Sequence, residues 1–293
     1  MESSTLNDPF LVAKNHLLEL TRRFPPETVP SQVIENMSSS QLDWPVWPTP
    51  ALSDLVGPPN IVLKRLDLRW LHRFQMTVSL LGWLSSQLGG PNGGPSALSL
   101  LVERAPLLGL RGWGATSAGG SCKILASADK SIAVNLPRVE DQASIPAWLG
   151  SHIKGDSWDA IAAEVALQGS KELVHRGELL GIPVASVGEA EPTDDHADRS
   201  GGNTRFVGVP KVVDLSSMWA GPLCGWYLAR SGAEVTKIES STRPDGIRKG
   251  SIDFYRRLNS GKNIVTLNFE NPENVSQLRS LIRASDIIIE GSR

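Results

Sequence analysis

The stretch that decides the fold reads VVDLSSMWAGPLC and occupies residues 212–224. It opens with a short apolar run, Val212 to Leu215, which is typical of a buried strand. A polar turn that contains glycine follows, and Pro222 stands where it can open a helix that continues to Arg230. The run from Ala233 to Glu239 then predicts a second buried strand. Together these elements predict a strand–helix–strand unit with parallel strands.

The loop at residues 216–221 follows the carboxyl end of the first predicted strand. Open α/β sheets bind ligands at that edge, where the first N–H groups of the next helix lack partners, so we expect a ligand there. A dinucleotide-binding unit has the same order of elements, but its fingerprint needs three glycines at fixed spacing. This loop has one glycine, and the bulky Met218 and Trp219 would obstruct a pyrophosphate. The loop therefore argues against an NAD-dependent dehydrogenase.

Three runs downstream extend the pattern. They read GAEVTKIE at 232–239, LNSGK at 258–262 and DIIIE at 286–290. In order and spacing, the four runs resemble the N-terminal half of the class III (CaiB/BaiF-type) CoA-transferases. The resemblance implies an α/β fold with a partial Rossmann-like parallel sheet, and a homodimer. It also implies an enzyme that moves CoA between an acyl-CoA and a carboxylic acid, or an acyl-CoA racemase or isomerase of the same fold.

The same resemblance implies a set of residues that bind CoA. These candidates are Met218, Trp219, Ala220, Arg248, Leu258, Lys262 and Ser292. CoA carries a 3′-phosphate, a pyrophosphate and a long pantetheine arm, so its site needs cations and apolar surface. Arg248 and Lys262 are the predicted phosphate partners, and Trp219 is predicted to cover the adenine or the arm. Ordinary surface positions for the two cations, and core burial for Met218, are the alternatives.

Two positions depart from the family pattern and predict an altered affinity for CoA. Ser240 stands where a basic residue usually follows the glutamate of the second strand. Residues 290–292 read EGS where the family usually has Glu-Asn-Phe.

No catalytic residue can be assigned from the sequence. The family uses an aspartate beyond these runs as a nucleophile, and the chain ends at Arg293, before that position. We do not assign the role of nucleophile to Asp214, because an aspartate that ends a buried strand is more often an acceptor for backbone N–H groups. The alternative function is therefore a non-catalytic CoA-binding subunit, or one that another polypeptide completes. For the same reason, we expect the isoleucines of residues 287–289 to lack a covering helix.

The rest of the chain is predicted to form an arm, a small domain and a linker. Residues 1–96 predict a helical and irregular arm, with helices from Asp8 to about Arg23 and from Leu68 to Leu88. The inward residues of the second helix are predicted to be Phe74, Leu81, Trp83 and Leu84. The prolines and tryptophans between the helices predict an irregular segment that wraps a neighbour or covers its own core.

Residues 97–188 predict a small α+β region. It contains a hairpin of Lys123–Ala126 and Ser131–Leu136, followed by helices capped by Ser157 and Ser170. This pattern is similar to the C-terminal half of the same family, so the halves would occur here in reversed order. Residues 189–206 are polar and predict a linker. Residues 207–293 form the predicted CoA-binding segment, truncated relative to the family.

Two local patterns could suggest other ligands. The run GGPNGGP at 89–95 is glycine-rich, but no Lys-Ser or Lys-Thr follows, so a simple loop is favoured over a phosphate loop. The acidic group at residues 194–198 includes His196, but residues so close together in a flexible segment seldom converge on one ion. We expect a solvated linker there and no metal.

Composition excludes further classes. The 293 residues carry a formal net charge of −2, with 40% hydrophobic and 20% charged residues, so bulk electrostatics give no attraction for nucleic acid or an anionic membrane. Cys122 and Cys224 fit neither a disulfide framework nor a zinc site. The N-terminus lacks a secretory signal, and the longest apolar stretch, Met76 to Leu88, is too short and polar to span a bilayer. We therefore expect a cytoplasmic protein.

Overall fold

The computed structural model describes residues 9–22, 29–39, 55, 69–91, 94–112, 114–151, 157–189 and 208–291. Most of the irregular segment between the two predicted helices of the arm, and nearly all of the predicted linker with its acidic group, lie outside the described residues, as does Ser292. The described part forms two compact units. The first holds the described residues of 9–47, 65–109 and 208–291, and the second holds residues 110–189 with Leu55. The predicted division at residue 97 stays a prediction.

The first unit begins with five helices. These are α1 (Pro9–Thr21), α2 (Ser31–Ser39), α3 (Arg69–Gln87), α4 (Ala97–Val102) and α5 (Arg104–Leu108). On one face α3 packs against α1 and α2 around Leu17 and Met76. Another face of α3 packs against α4. There Leu71 of α3 and Leu100 of α4 are buried against Leu223 and Tyr227, which belong to a later helix of the same unit. The two long helices predicted in the arm are thus confirmed as α1 and α3.

One predicted inward residue of α3 is misplaced. Phe74, Trp83 and Leu84 pack against the two clusters as predicted, whereas Leu81 is 41% exposed. The prediction for Leu81 is wrong because neither of the two packed faces of α3 includes it. A single apolar stripe, which is what helical spacing describes, does not represent a helix that packs in two directions.

The second unit contains a small antiparallel sheet and four helices. Its elements are β1 (Cys122–Ala126), β2 (Ser131–Asn135), α6 (Val139–Ala143), α7 (Ile145–Leu149), α8 (Trp158–Ala166), α9 (Ser170–Leu180) and β3 (Val184–Ser186). The strands pair in the order β1-β2-β3, which confirms the hairpin. Ile132, Val134 and Trp148 lie at the centre of its core.

The caps of α8 and α9 differ in origin. Ser157 caps α8 as predicted, since its hydroxyl accepts from the N–H of Ala160 at 3.2 Å. The prediction for Ser170 is wrong, because Ser170 is the first residue of α9 and not its cap. Its N–H and hydroxyl donate to the two carboxylate oxygens of Asp129 at 2.7 and 2.9 Å. A residue of the hairpin turn therefore stabilises the start of this helix.

The C-terminal part of the first unit is a parallel sheet. Its elements are β4 (Lys211–Asp214), α10 (Ala220–Arg230), β5 (Glu234–Ser240), α11 (Ile247–Gly250), α12 (Ile252–Asn259), β6 (Asn263–Leu267), α13 (Pro272–Arg283) and β7 (Ile287–Ile289). The strands are ordered β6-β5-β4-β7, and each neighbouring pair is parallel. The predicted α/β class and the strand–helix–strand unit are confirmed. The description as Rossmann-like stays a prediction.

The two faces of this sheet have different chemistry. Leu278, Leu281 and Ile282 of α13 pack on one face, against apolar residues of β4, β5 and β6. Side chains alternate between faces along a strand, so Asp214, Lys237 and Glu239 point to the other face, which α10 and α12 cover. In β7, Ile288 is 48% exposed, and Ile287 and Ile289 are half-buried. Charged groups at the carboxyl ends of β4 and β5 thus lie under α10 and α12.

Candidate functional site

The loops that follow β4, β5 and β6, together with residues 290–291 after β7, leave the sheet at one edge because all four strands are parallel. In the loop after β4, Met218 has φ +71°. It is the one non-glycine residue of the described chain with a positive φ, a conformation that costs an ordinary side chain about 1–2 kcal/mol. Backbone strain of this kind is concentrated at functional sites. Geometry and topology both make this edge the candidate ligand site.

Asp245 fixes the strained loop from the neighbouring connection. One of its carboxylate oxygens accepts from the N–H groups of Met218 and Ile247, each at 3.1 Å. Lys237 of β5 lies 3.7 Å from the other oxygen, and its ammonium also donates to the carbonyl of Ser216. The side chains of Lys237 and Asp245 are both buried. A buried ion pair therefore joins the loops after β4 and β5.

A second buried ion pair lies beneath the same loop. Lys262 donates to Asp214 and to the carbonyl of Pro222, both at 2.8 Å, and to the side chain of Asn259 at 3.1 Å. Asp214 also accepts from the N–H of Ser216 at 3.0 Å, as its predicted structural role requires. Burial lowers the pKa of Lys262, and the hydrogen bond to Asp214 acts in the opposite direction. All three N–H donors of the Lys262 ammonium are therefore used inside the protein.

A third ion pair lies closer to solvent. Arg248 donates two parallel hydrogen bonds to Glu239, at 2.9 and 3.0 Å, and its guanidinium lies 3.7 Å from the centre of the Tyr255 ring. Tyr255 donates its own hydroxyl to the same carboxylate. Burial opposes ionisation of Glu239, but these hydrogen bonds outweigh burial and hold its pKa below the ordinary value. Arg248 keeps 34% of its side chain exposed and has N–H groups left for a ligand.

The predicted CoA residues occupy unlike positions. Met218 is 55% exposed at the edge, and Ala220, the first residue of α10, is also exposed. Trp219 packs against a cluster of α11 and α12 that includes Leu258, whose side chain is completely buried. The structure thus brings Met218, Trp219, Ala220 and Arg248 to the edge and encloses Leu258 and the Lys262 ammonium beneath it. The assignment of these residues to CoA stays a prediction.

Two residues of this region were missed by the sequence reasoning. Lys237 lies in a buried strand between Val235 and Ile238, and a lysine within a buried parallel strand is itself a signal of a hidden partner. Arg104, in α5, lies over the Trp219 ring with its guanidinium carbon 4.2 Å from the ring centre. Arg104 and Trp219 are far apart along the chain, and nothing in the sequence indicates that they meet.

Neither a metal-binding group nor a membrane-spanning helix occurs among the described residues. No group of three or more His, Cys, Asp or Glu side chains is placed to hold a metal ion there. Within the same ranges, no helix is both long enough and apolar enough to cross a membrane.

The sequence model of CoA-transferase family III matches residues 208–293. Those residues are similar to CoA-transferase family III. The matched segment contains the whole parallel sheet, the strained loop and the three ion pairs beneath the edge. The predicted resemblance is thereby confirmed for this part of the chain.

Individual relatives each match less than a third of the chain. An acyl-CoA transferase of Fusarium pseudograminearum is 33% identical over 95 residues, which are 27% of this chain and 21% of that protein. A CaiB/baiF CoA-transferase family protein of Caenorhabditis elegans is 34% identical over 89 residues, 30% of this chain and 24% of that protein. A succinate–glutarate CoA-transferase of Agrobacterium fabrum is 30% identical over 93 residues, 27% of this chain and 23% of that protein. The chain therefore spans less than a quarter of the length of these relatives. No solved structure matches it.

Proposed function

We propose that this chain binds CoA at the carboxyl edge of its parallel sheet and takes part in moving CoA between an acyl-CoA and a carboxylic acid. The supporting observation is that the family III segment, residues 208–293, includes an edge whose strained loop is held in place by buried ion pairs. Such a prearranged edge binds a ligand without first having to be ordered.

The residues at the edge suit different parts of CoA. Arg248 offers a guanidinium with unused donors to a phosphate, and its pairing with Glu239 limits its motion. Met218 offers exposed apolar surface to the pantetheine arm beside Ala220. Lys262 contributes indirectly, through its ion pair with Asp214. Leu258 also contributes indirectly, because it packs in the same hydrophobic cluster as Trp219. Ser292 lies outside the described residues, and its contact with CoA stays a prediction.

The chemical step needs a carboxylate nucleophile, which attacks the acyl group and then carries it. Three carboxylates of the edge, those of Asp214, Glu239 and Asp245, each lie in an ion pair with a cation. The second candidate function is a CoA-binding subunit that is not catalytic alone and that another polypeptide completes. A racemase or isomerase that acts on acyl-CoA is the third candidate.

We also propose a cytoplasmic location and a homodimer or complementing polypeptide as the assembly. The two cysteines, Cys122 and Cys224, are both free thiols, which suits a reducing compartment. Sedimentation velocity of the purified chain measures the assembly state. A monomer at all concentrations would contradict the homodimer.

Calorimetry with CoA tests the binding function. The purified chain is expected to bind CoA, and Arg248→Met is expected to weaken binding about tenfold or more because hydrogen bonds to a charged group are lost. Arg243→Met is the matched control, since Arg243 is exposed in the same connection. The absence of heat from CoA with well-folded protein would contradict the proposal. CoA exchange between an acyl-CoA and a free acid by the chain alone would exclude the non-catalytic alternative.

A further inference from the structure

Arg104 is a half-buried cation that is paired with no anion among the described residues. It comes from α5, outside the family III segment, and it lies over the Trp219 ring at 4.2 Å. Its Nε and the indole Nε1 of Trp219 are both buried and have no hydrogen-bond acceptor. Among the described residues, the Arg104 guanidinium makes neither a hydrogen bond nor an ion pair.

The neighbouring arginines are different in this respect. Arg257 lies 3.5 Å from Glu103, the residue directly before Arg104, and Arg248 is paired with Glu239. Burial lowers the pKa of Arg104, and no anion offsets that effect. Protein interiors rarely leave a cation and a nearby N–H group without acceptors, because each group loses its water without a replacement. An acceptor from outside the described residues would satisfy them.

The position of Arg104 fits the candidate site. Trp219 is the residue before α10 and directly follows the strained Met218. Trp219 packs against the cluster that includes Tyr255, and Arg248 lies on the Tyr255 ring. Two guanidiniums therefore rest on two aromatic residues of one hydrophobic cluster. Each ring fixes the plane of its guanidinium, and a planar fork of N–H groups is the donor that matches phosphate oxygens best.

Charge supports a phosphate as the missing acceptor. CoA carries a pyrophosphate and a 3′-phosphate, and a site for them needs more than one cation. The Lys262 ammonium is committed to Asp214, and Ser240 replaces a cation at the end of β5. Arg248 is the cation of the matched segment that lies on Tyr255 of this cluster. Arg104 supplies a second cation at the same cluster, on Trp219, from outside that segment.

We propose that Arg104 binds a phosphate group of CoA together with Arg248. Trp219 holds the Arg104 guanidinium in position for this contact. The proposal rests on the proposed CoA-binding function. It assigns a ligand-binding residue to the N-terminal part of the chain, which the family match does not include.

Calorimetry with three ligands tests the proposal. Wild type, Arg104→Gln, Arg104→Lys and Arg230→Gln are each titrated with CoA, dephospho-CoA and pantetheine, after melting curves have shown that they fold. Arg230→Gln is the matched control, because Arg230 lies over Trp226 at 4.8 Å, at the other end of α10. If Arg104→Gln does not fold, Arg104→Lys, which keeps the charge and loses the planar fork, carries the test.

The expected result is specific to the phosphates. Arg104→Gln weakens CoA binding about tenfold to a hundredfold, Arg104→Lys weakens it less, and Arg230→Gln leaves it unchanged. Pantetheine, which lacks the phosphates named above, binds all variants equally. A loss confined to CoA identifies the 3′-phosphate, and a loss shared with dephospho-CoA identifies the pyrophosphate.

Two results overturn the proposal. One is CoA binding by folded Arg104→Gln with the affinity of wild type, and the other is an equal loss for pantetheine. If wild type itself binds no CoA, the proposed function fails, and inorganic pyrophosphate then tests the anion site alone. If pyrophosphate binds and the binding depends on Arg104, the anion site at Arg104 is supported even without CoA binding. If pyrophosphate does not bind, the anion site is rejected together with the proposed function.

Discussion

Asp214 and Lys262 meet at 2.8 Å inside the first unit, and neither side chain is exposed to solvent. The pair links the end of β4 to the turn that leads into β6. Gly225 of α10 makes room for it, since a Cβ at that position would lie 2.8 Å from an Asp214 oxygen and 3.0 Å from the Lys262 nitrogen. Sheet, helix and turn therefore converge on one buried ion pair directly beneath the candidate site.

Replacing Lys262 with methionine is expected to destabilise the first unit strongly. The substitution leaves the Asp214 carboxylate buried without its cation, and breaking a buried ion pair in this way costs about 3–5 kcal/mol. Urea unfolding measures the effect. The matched control is Lys249→Met, because Lys249 is exposed on α11 and its loss is expected to change the free energy of unfolding by less than about 0.5 kcal/mol.

The double variant Asp214→Asn with Lys262→Met removes both charges. We expect it to be more stable than Lys262→Met alone, because no unpaired charge is left in the interior. If Lys262→Met unfolds at the same urea concentration as Lys249→Met, the pair contributes nothing to stability and this description of the site is wrong.

The sequence predicted what local periodicity encodes. The apolar run before Asp214, the helix that opens near Pro222 and the DIIIE run all became elements of the parallel sheet. Local periodicity did not predict the contacts between residues that are far apart in the sequence. The enclosure of Lys262 depends on Pro222 and Asn259, and the cap of α9 comes from Asp129 in another element.

Side-chain type also did not predict environment. A lysine after a glycine is consistent with a surface cation, a phosphate ligand or a buried partner of a carboxylate. Which of these applies is decided by what the fold places around Lys262, since burial and partners together determine where a charge is stable. The same limit explains Arg104, whose contact with Trp219 joins segments on either side of the second unit along the chain.

Alanine at Gly221 is expected to be destabilising, although alanine is normally favoured over glycine in a helix by about 0.5–1 kcal/mol. A Cβ at Gly221 would lie 2.2 Å from both the Cβ and the Oγ of Ser216. Overpacking of this kind costs about 1–3 kcal/mol, so the melting temperature should fall. Gly119→Ala is the control, because no atom lies within 4 Å of a Cβ there.

A second substitution tests the cause of that loss. Ser216→Gly removes both atoms that the new Cβ would meet. In the Ser216→Gly background, Gly221→Ala should therefore lower the melting temperature less than it does in wild type. An equal loss in the two backgrounds would mean that the close approach of these residues is not the reason.

Glycine at Met218 is expected to be more stable than alanine at the same position, by about 1–2 kcal/mol. Both substitutions remove an exposed side chain, but only glycine adopts φ +71° without a steric penalty. Thermal unfolding of the two variants provides the comparison. Should alanine prove as stable as glycine, the positive φ of Met218 would not be a source of strain.

The pair of Glu239 and Arg248 is expected to make part of the stability depend on pH. Because the pKa of Glu239 in the folded protein lies below its ordinary value near 4.5, the unfolded chain binds a proton there more readily as the solution is acidified. The ionised Glu239 carboxylate stabilises the folded protein fully at pH values above its pKa in the unfolded chain. This stabilisation is lost as the pH falls through the lower pKa of Glu239 in the folded protein. Asp129, whose pKa is lowered by hydrogen bonds from Ser170, gives the second unit the same dependence.

Glu239→Gln isolates the contribution of the first unit to this dependence. The variant is expected to melt below wild type at pH 7, because it loses the negative charge and one of the two acceptor oxygens that pair with Arg248. The difference in melting temperature should narrow as pH falls below about 4.5, the ordinary pKa of glutamate, since the wild-type carboxylate then becomes protonated. Melting temperatures of both proteins between pH 3 and pH 8, set on the same axes, provide the measurement. A difference that stays constant over that range would show that hydrogen bonding alone, and not the ionised state of Glu239, stabilises this edge of the sheet.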